Sequence, residues 1–414
     1  MINRPRLLIH SIVFSPDSVS TAYLYNDIAL RFCDAGYDVI VMTTTPHYNL
    51  VDEEINKQPL VKKAFGIFYE SYFNSIRVIH VPLKKYKSTS LRILSFVYWH
   101  IISLSIGLSI RNINYVLSVS PPLSIGLVAG IIAKFKGAKS VYNIQEIYPD
   151  LLLTQGNIGS GLIEKALTLL EKSVYNISTA LTTIDDSFYS RIHNRLKHHQ
   201  KLHLIPNFVD TEMYKPHTEP TKILPSPFVK NHDTFIVMYA GNIGHYQDWE
   251  PLLEASKALE GENIEFWIIG EGTNKDNLIK KVADDGLSNI KVYPYVSRSL
   301  MPTLNNIADV HFISINEEIE ELGFPSKVYT IMACAKPLIV LSGVHSPLYK
   351  FLQNKDCAFL ITEDKSTNLV KTIKLLLGDK VLVREKGGNA YREVKEKYTK
   401  QIVTDQYLEL IKSL

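Results

Sequence analysis

Residues 317–340 read EEIEELGFPSKVYTIMACAKPLIV. Pro325 and Ser326 can open a helix, the first through its fixed φ and the second by offering a side-chain acceptor to free backbone N–H groups. Lys336-Pro337 must stop it, so a helix is predicted over 326–335, and Leu338 to Leu341 reads as the buried strand that follows. A helix start gathers unpaired N–H donors and partial positive charge, and Lys327 adds a full charge in the first turn. That combination suits a diphosphate. The carboxylates just upstream suit sugar hydroxyls, because an ionised carboxylate only accepts hydrogen bonds. Acidic loop, cationic helix start and buried strand together suggest a nucleotide-sugar grip, while a plain capped helix behind a charged loop would use the same residues.

Around this stretch lie 414 residues, too many for one ordinary core and enough for two domains of about 200 residues each. With 46% hydrophobic, 21% charged and 10% aromatic residues the chain reads as globular. A formal charge of +3 does not point to nucleic acid, and no nucleic-acid partner is expected. Cys33, Cys334 and Cys357 are too scattered for a disulfide framework or a zinc site and fit a reducing cytoplasm. Met1 to Arg6 leads straight into the strand-length run Leu7 to Phe14, so no signal peptide is expected.

The first half alternates strand-like and helix-like segments, the signature of a parallel sheet wrapped by helices. Strands are predicted at Leu7–Phe14, Asp38–Thr44, Ile76–Pro82, Tyr115–Ser120, Ser140–Gln145, Ala180–Ile184 and Leu202–Pro206. Helical patterns fall near 20–34, 90–110, 122–136, 158–176 and 186–196. The stretch 45–75 has the poorest regular signal and reads as a long loop or short helices beside a site. Ile93 to Ile110 holds no charge over eighteen residues, the lower limit for a membrane span. His100, four serines and Gly107 favour a buried or surface-docked helix. Lys84, Lys85, Lys87 and Arg92 before it and Arg111 after it leave peripheral attachment to an anionic membrane surface open. The run Arg191 to His203 is too irregular for a metal box and reads as a solvated basic helix, with anionic lipid or a lipid-linked diphosphate as a secondary candidate partner.

Pro206 to Asp210 and Pro216 to Pro227 form a proline-rich, polar interval suited to a domain boundary. The alternation then restarts, with strands predicted at Phe235–Gly241, Ile264–Gly270, Ile290–Val296, Asp309–Ile315, Pro337–Leu341 and Cys357–Ile361. Two doubly wound α/β domains therefore fit the chain, and ligands should bind where loops at the carboxyl ends of the strands face one another. Four successive strand ends of the second half carry Gly241-Asn242-Ile243-Gly244, Gly270-Glu271-Gly272, Tyr295-Val296-Ser297-Arg298 and the acidic loop. At Gly241 to Gly244 small residues would let a phosphate approach the backbone. Neither glycine turn completes the G-x-G-x-x-G fingerprint, which argues against a dinucleotide-dependent oxidoreductase.

With Tyr239-Ala240-Gly241-Asn242-Ile243-Gly244 and Gln247, Ile268-Ile269-Gly270-Glu271-Gly272, Met301-Pro302, and Pro325-Ser326-Lys327-Val328-Tyr329 with Met332-Ala333 and Lys336-Pro337, the second half resembles retaining glycosyltransferases of family 4. Within that family it looks most like the WbuB-type branch of bacterial surface-polysaccharide biosynthesis. In the first half the likeness rests on the strand pattern and on Tyr142 to Asp150. Pro206-Asn207-Phe208-Val209-Asp210 is similar to an interdomain Pro-Asn-Gly-Val-Asp, with Phe208 in place of glycine.

The resemblance implies the GT-B fold, two Rossmann-like doubly wound domains facing across a cleft. Residues 1–210 would bind the acceptor and 211–394 the donor, with a C-terminal helix near 395–414 packing back on the first. It implies transfer of a sugar, expected to be an N-acetylated amino sugar, from a UDP-sugar to a lipid-linked glycan acceptor with retention, in capsule, O-antigen or exopolysaccharide assembly. The protein would be cytoplasmic, with the inner membrane face as an open alternative. No metal or other cofactor is expected, because there is no convincing Asp-X-Asp and cationic side chains can take the leaving diphosphate's charge.

Lys327 and Arg298 are the cations expected to matter most for rate. Glu320 and Glu321 compete for the role of the family's first paired glutamate. The second would fall on Thr330, so Tyr329 or Thr330 would have to substitute at the ribose. Tyr295 and Val296 would flank the base, with Gly241, Asn242, Gly244, Gln247, Gly270, Gly272, Pro325 and Ser326 completing the donor site. Glu146 could accept a proton or bind acceptor hydroxyls, and a helix cap is its plain alternative. After the first strand, Pro16-Asp17-Ser18-Val19-Ser20-Thr21 stands where glycines are usual, with Ser18 or Ser20 able to cap the next helix. A UDP-N-acetylglucosamine-2-epimerase-like enzyme of the same plan, or a catalytically silent membrane-docked scaffold, would share most of these features.

Overall fold

Strand-length apolar runs become buried strands because their backbone groups pair only when neighbouring strands lie alongside. Leu7, Leu8 and Ile9 are fully buried at the centre of the first sheet, and Ile339, Val340 and Leu341 in the second. The computed structural model describes residues 4–84, 86–148, 150, 151, 161–196, 201–217, 224–231 and 233–414. The start of the helix predicted at 158–176, residues 197–200 of the histidine-rich run and residues 218–223 of the proline-rich interval lie outside the described residues.

In chain order the first elements are β1 (Arg6–His10), α1 (Ser20–Asp34), β2 (Asp38–Thr44), α2 (Asp52–Lys57), β3 (Val61–Lys63), β4 (Phe68–Phe73), β5 (Ile76–Val81), α3 (Thr89–Ser109), β6 (Ile113–Val119), α4 (Ser124–Lys136), β7 (Lys139–Ile144), α5 (Gly161–Ile177), β8 (Ala180–Thr183), α6 (Asp186–His193) and β9 (Leu202–Leu204). There follow β10 (Phe235–Ala240), α7 (Glu250–Ala258), β11 (Ile264–Ile269), α8 (Lys275–Asp284), β12 (Ile290–Tyr293), α9 (Met301–Ile307), β13 (Val310–Ser314), α10 (Lys327–Ala333), β14 (Leu338–Leu341), α11 (Pro347–Leu352), β15 (Ala358–Ile361), α12 (Lys365–Gly378), α13 (Lys380–Lys397) and α14 (Lys400–Ser413).

The chain separates into two units, Met1–Pro206 with Gln401–Leu414, and Asn207–Lys400. The first holds a sheet in the order β3-β4-β5-β2-β1-β6-β7-β8-β9, the second β12-β11-β10-β13-β14-β15. The second sheet is parallel throughout, as are the first sheet's strands from β5 to β9. In both, the strand order reverses beside the first strand, between β1 and β6 and between β10 and β13. Such reversals leave a crevice at the carboxyl strand ends.

Four expectations need correction. The stretch 45–75 holds the short helix α2, as expected, but also two strands: β4 runs antiparallel to β5, and β3 to β4. β3 is short and exposed and β4 mostly half-buried, so they lack the apolar run that announces a central strand. Helix α1 begins after Val19 with no side-chain cap, so neither Ser18 nor Ser20 caps it. The basic run from Arg191 is not simply solvated. Arg191 and Arg195 bond Asp150 at 3.1 and 2.6 Å, and Arg195 also bonds Glu171, which Tyr175 supports. Those cations are committed inside the unit and do not wait for lipid.

The fourth concerns the crossings between units, which fall at 206/207 and 400/401 instead of 210/211 and 394/395. The reason is local. Val209 N–H donates to the Tyr398 carbonyl and Lys400 N–H to that of Val209, while the Lys400 ammonium meets Asp210 at 2.6 Å. These bonds hold both crossings in the second unit, and α14 beyond them packs on the first. Tyr407 OH accepts from Asn143 at 2.9 Å, and Asp405 pairs with Arg31 of α1 at 2.6 Å.

Candidate functional site

In the second unit the site builds from the end of β10. Gly241 (φ 151°) and Gly270 (φ 153°) take conformations closed to other residues. A Cβ on Gly270 would overlap the Gly241 carbonyl, and one on Gly272 the carbonyl of Ile243. Ile243 N–H donates to the Glu271 carbonyl at 2.8 Å and Asn274 N–H to that of Ile243 at 2.9 Å. The absence of a side chain at Gly270 and Gly272 thus admits the backbone of the neighbouring loop. Gly244 is buried, and its N–H is taken by the Gln247 side chain at 2.9 Å. Asn242 is exposed at the loop tip.

Gly241 has a different neighbour. A Cβ there would stand 3.2 Å from the Lys327 Nζ. The ammonium lies 3.6 Å from the centre of the Tyr239 ring and donates to the Ala240 carbonyl at 3.2 Å. Tyr239 is held by its hydroxyl, which donates to the Asn242 carbonyl at 2.6 Å, and by Trp249 packed edge-on at 4.8 Å. Among the described residues no carboxylate pairs with Lys327. A ring under a desolvated cation contributes about 2 kcal/mol, whereas removing an ammonium from water costs several. Burial accordingly lowers the Lys327 pKa to about 7. His311 on the adjacent β13 is held neutral, at about 3, first by burial and further by the charges of Lys336 and Lys327. An uncompensated cation at the strand-order reversal is a site an anion would complete.

The helix start contributes less than its sequence suggests. Ser326 has helical dihedrals and caps nothing with its side chain, while the N–H groups of Val328 and Tyr329 already donate to the carbonyls of Pro325 and Ser326. The cationic character at this point rests on the Lys327 side chain. Tyr329 is 1% exposed and packs among Phe324, Phe351 and Tyr398, so its ring belongs to the core and cannot replace a ribose-binding carboxylate. Thr330 is partly exposed, and its hydroxyl donates back to the Lys327 carbonyl at 2.8 Å.

The acidic loop divides its charges. Glu317 pairs with Lys365 at 2.8 Å, and Glu320 accepts the Gly343 N–H at 2.5 Å. A Cβ on Gly343 would collide with that carboxylate. Glu320 is partly buried, and Glu321 exposed. Tyr295 is exposed after β12 and takes the Glu271 carboxylate on its N–H at 3.3 Å, Val296 packs partly buried beside it, and Arg298 stands partly exposed in the turn before α9.

In the first unit a second group of polar side chains gathers at strand ends. Asp17, 2% exposed, accepts the N–H groups of His47 and Tyr48 at 2.8 and 2.7 Å. Ser120 Oγ, after β6, accepts the N–H groups of Gln145 and Glu146 at 2.9 and 3.3 Å. Burial raises the Glu146 pKa against the lowering effect of the Tyr148 hydroxyl, which donates to it at 3.0 Å. The Tyr48 pKa is raised by burial and then by the charges of Asp17 and Glu146. Sequence reasoning reached Glu146 but missed Asp17 and Tyr48. Asp17 stood in a stretch read for capping, and Tyr48 lay within the segment of weak signal.

Residues 221–396 match the family described as Glycosyl transferases group 1. WcaI of Escherichia coli K12, whose name assigns it to colanic acid biosynthesis as a glycosyl transferase, is 23% identical over 353 residues, covering 83% of this chain and 84% of its own. Among solved structures, sucrose-phosphate synthase from Thermosynechococcus elongatus aligns with a TM-score of 0.75 at 13% identity, over 99% of both chains. Anabaena HepE in complex with UDP-glucose aligns at 0.69 and 14% identity, over 99% of this chain and 100% of its own. With its second unit matched to the group 1 glycosyl transferases and its architecture shared with these proteins, the chain is a glycosyltransferase of the GT-B fold.

Proposed function

We propose that the enzyme moves a sugar, an N-acetylated amino sugar by preference, from a UDP-sugar to a lipid-linked glycan acceptor in the cytoplasm, keeping the anomeric configuration and building a surface polysaccharide. One observation carries the donor half of this reading. Lys327 is a partly buried ammonium with no carboxylate partner among the described residues, held on the Tyr239 ring against the end of β10. A diphosphate supplies the missing charge, and more of it as the bond to the sugar breaks, so the interaction strengthens toward the transition state. The binding of UDP-glucose by HepE and the colanic acid role in the name of WcaI support a nucleotide-sugar donor and a polysaccharide product.

In this reading Lys327 and Arg298 neutralise the leaving diphosphate, and the loop of Glu320 and Glu321 receives donor-sugar hydroxyls. Asn242, Tyr295, Val296, Thr330 and Pro325 border the nucleotide. Glu146 in the first unit holds an acceptor hydroxyl or takes its proton, a role its raised pKa suits. No metal takes part, so a chelator leaves the rate unchanged.

The test is incubation with UDP-N-acetylglucosamine, with and without a polyprenyl-diphosphate-linked glycan, in buffer and in chelator. Transfer that requires the acceptor supports the proposal. Conversion of the donor alone to an epimer would replace it with an epimerase. Absence of turnover together with absence of UDP binding would overturn it.

A further inference from the structure

From Ser71 to Gln145 the chain contains nine Lys or Arg and no Asp or Glu. The whole protein carries only +3, so the rest is net acidic and the positive charge is concentrated in this segment. Helices α3 and α4 occupy much of it. Helix α4 packs against both α3 and α5, so the three form one layer on the first sheet. Each follows a parallel strand, so each begins at the carboxyl edge of that sheet, the edge that carries Asp17 and Glu146.

Helix α3 is apolar on both sides, but only its inner side is used. Trp99 and Ser103 are fully buried, and Gly107 lets Ile132 of α4 pack so closely that a Cβ would collide with it. The first turns stand clear: residues 90–94 are all exposed, with Ile93 at 60% and Leu94 at 62%, and Val97 and Ile101 continue the open face. Lys84, Lys87 and Arg92 surround the apolar start of α3 and are exposed. Apolar side chains at the tip of a layer, among cations with no acid nearby in the chain, match an anionic bilayer, which offers hydrocarbon beneath negative headgroups.

Although α3 is long and apolar enough to cross a membrane, its buried inner face ties it to the sheet. Crossing would strip Trp99 and Ser103 from their packing. We propose that the start of α3 docks the first unit onto an anionic lipid surface, lying in the headgroup region without spanning it. The docked edge is the one that carries Asp17 and Glu146, so it presents those residues toward the lipid. Docking does not depend on the glycosyl-transfer reading, because it is measured with no donor or acceptor present.

The experiment is flotation of the full chain with equimolar phosphatidylglycerol–phosphatidylcholine vesicles and with pure phosphatidylcholine, alongside sedimentation without lipid. Wild type should float with the anionic vesicles, lose binding as salt rises, and ignore the neutral ones. Lys84→Glu with Lys87→Glu should weaken partition about 30-fold, and Ile93→Glu with Leu94→Glu at least about tenfold. All four positions are exposed, and unchanged circular dichroism and thermal transitions confirm that the variants fold. The proposal is overturned by absence of binding to anionic vesicles or by variants that float like wild type. It is also overturned by self-association that the same variants abolish while no vesicle is bound, which would give this face to a second copy of the chain.

Discussion

At Lys327, stability and binding pull in opposite directions. The folded pKa of about 7 lies below the ordinary lysine value of 10.5, so at neutral pH the unfolded chain holds a proton that the folded chain gives up in part. That contribution is unfavourable, and it is largest below pH 7, where the buried group must be charged. Lys327→Met, close in length and uncharged, should raise the stability of the ligand-free second unit by about 1 kcal/mol in denaturant titrations. A loss of about 2 kcal/mol would mean instead that the lysine serves the fold. The sequence marked this residue through its position at a helix start. It could not show Tyr239, 88 positions earlier, becoming its platform, because only the fold brings the end of β10 against α10.

Among elements, the loops after β10 and β11 fit because two of their backbones touch. Gly270→Ala would need a left-handed backbone and would overlap the Gly241 carbonyl. It should cost about 3 kcal/mol or more, read as a lower second-unit transition in thermal scans. Gly323→Ala in the acidic loop, with open space around it, should stay within about 0.5 kcal/mol. The sequence placed Gly270 in the donor site but could not show that a neighbouring backbone fills the space beside it. The central strands were legible because burial on both faces leaves apolar runs, and their predicted and observed limits agree within a few residues. The edge strand β3 and its neighbour β4 were not, since strands that are exposed or only half-buried leave no such run. The acidic loop was legible as charge but not as geometry: Glu320 turned toward Gly343 through a fold-dependent contact.

For the molecule as a whole, α14 belongs to the first unit while everything from Asn207 to Lys400 belongs to the second. Truncation after Lys400 removes the buried Val403, Tyr407, Leu408 and Ile411. Hydrogen exchange should then show faster exchange across β7, β8 and α1, with β10 to β14 unchanged. Both units also carry buried neutral histidines, His10 and His311 at about 3 and His80 at about 4, each lowered chiefly by burial. Because these values lie below the ordinary 6.5, their stability contribution is complete above that pH and falls as pH drops toward the folded values. Each contributes up to about 1.4 kcal/mol per pH unit, so denaturation midpoints should fall from pH 7 to pH 5. The most direct test of the central claim is calorimetric titration of UDP into wild type and Lys327→Met at pH 8, in buffers of different ionisation heat. A lysine recharged by diphosphate predicts uptake of about one proton and an affinity 10- to 100-fold weaker in the variant, about 1.5 to 3 kcal/mol. Equal affinity in both proteins, with no proton taken up by either, would contradict it.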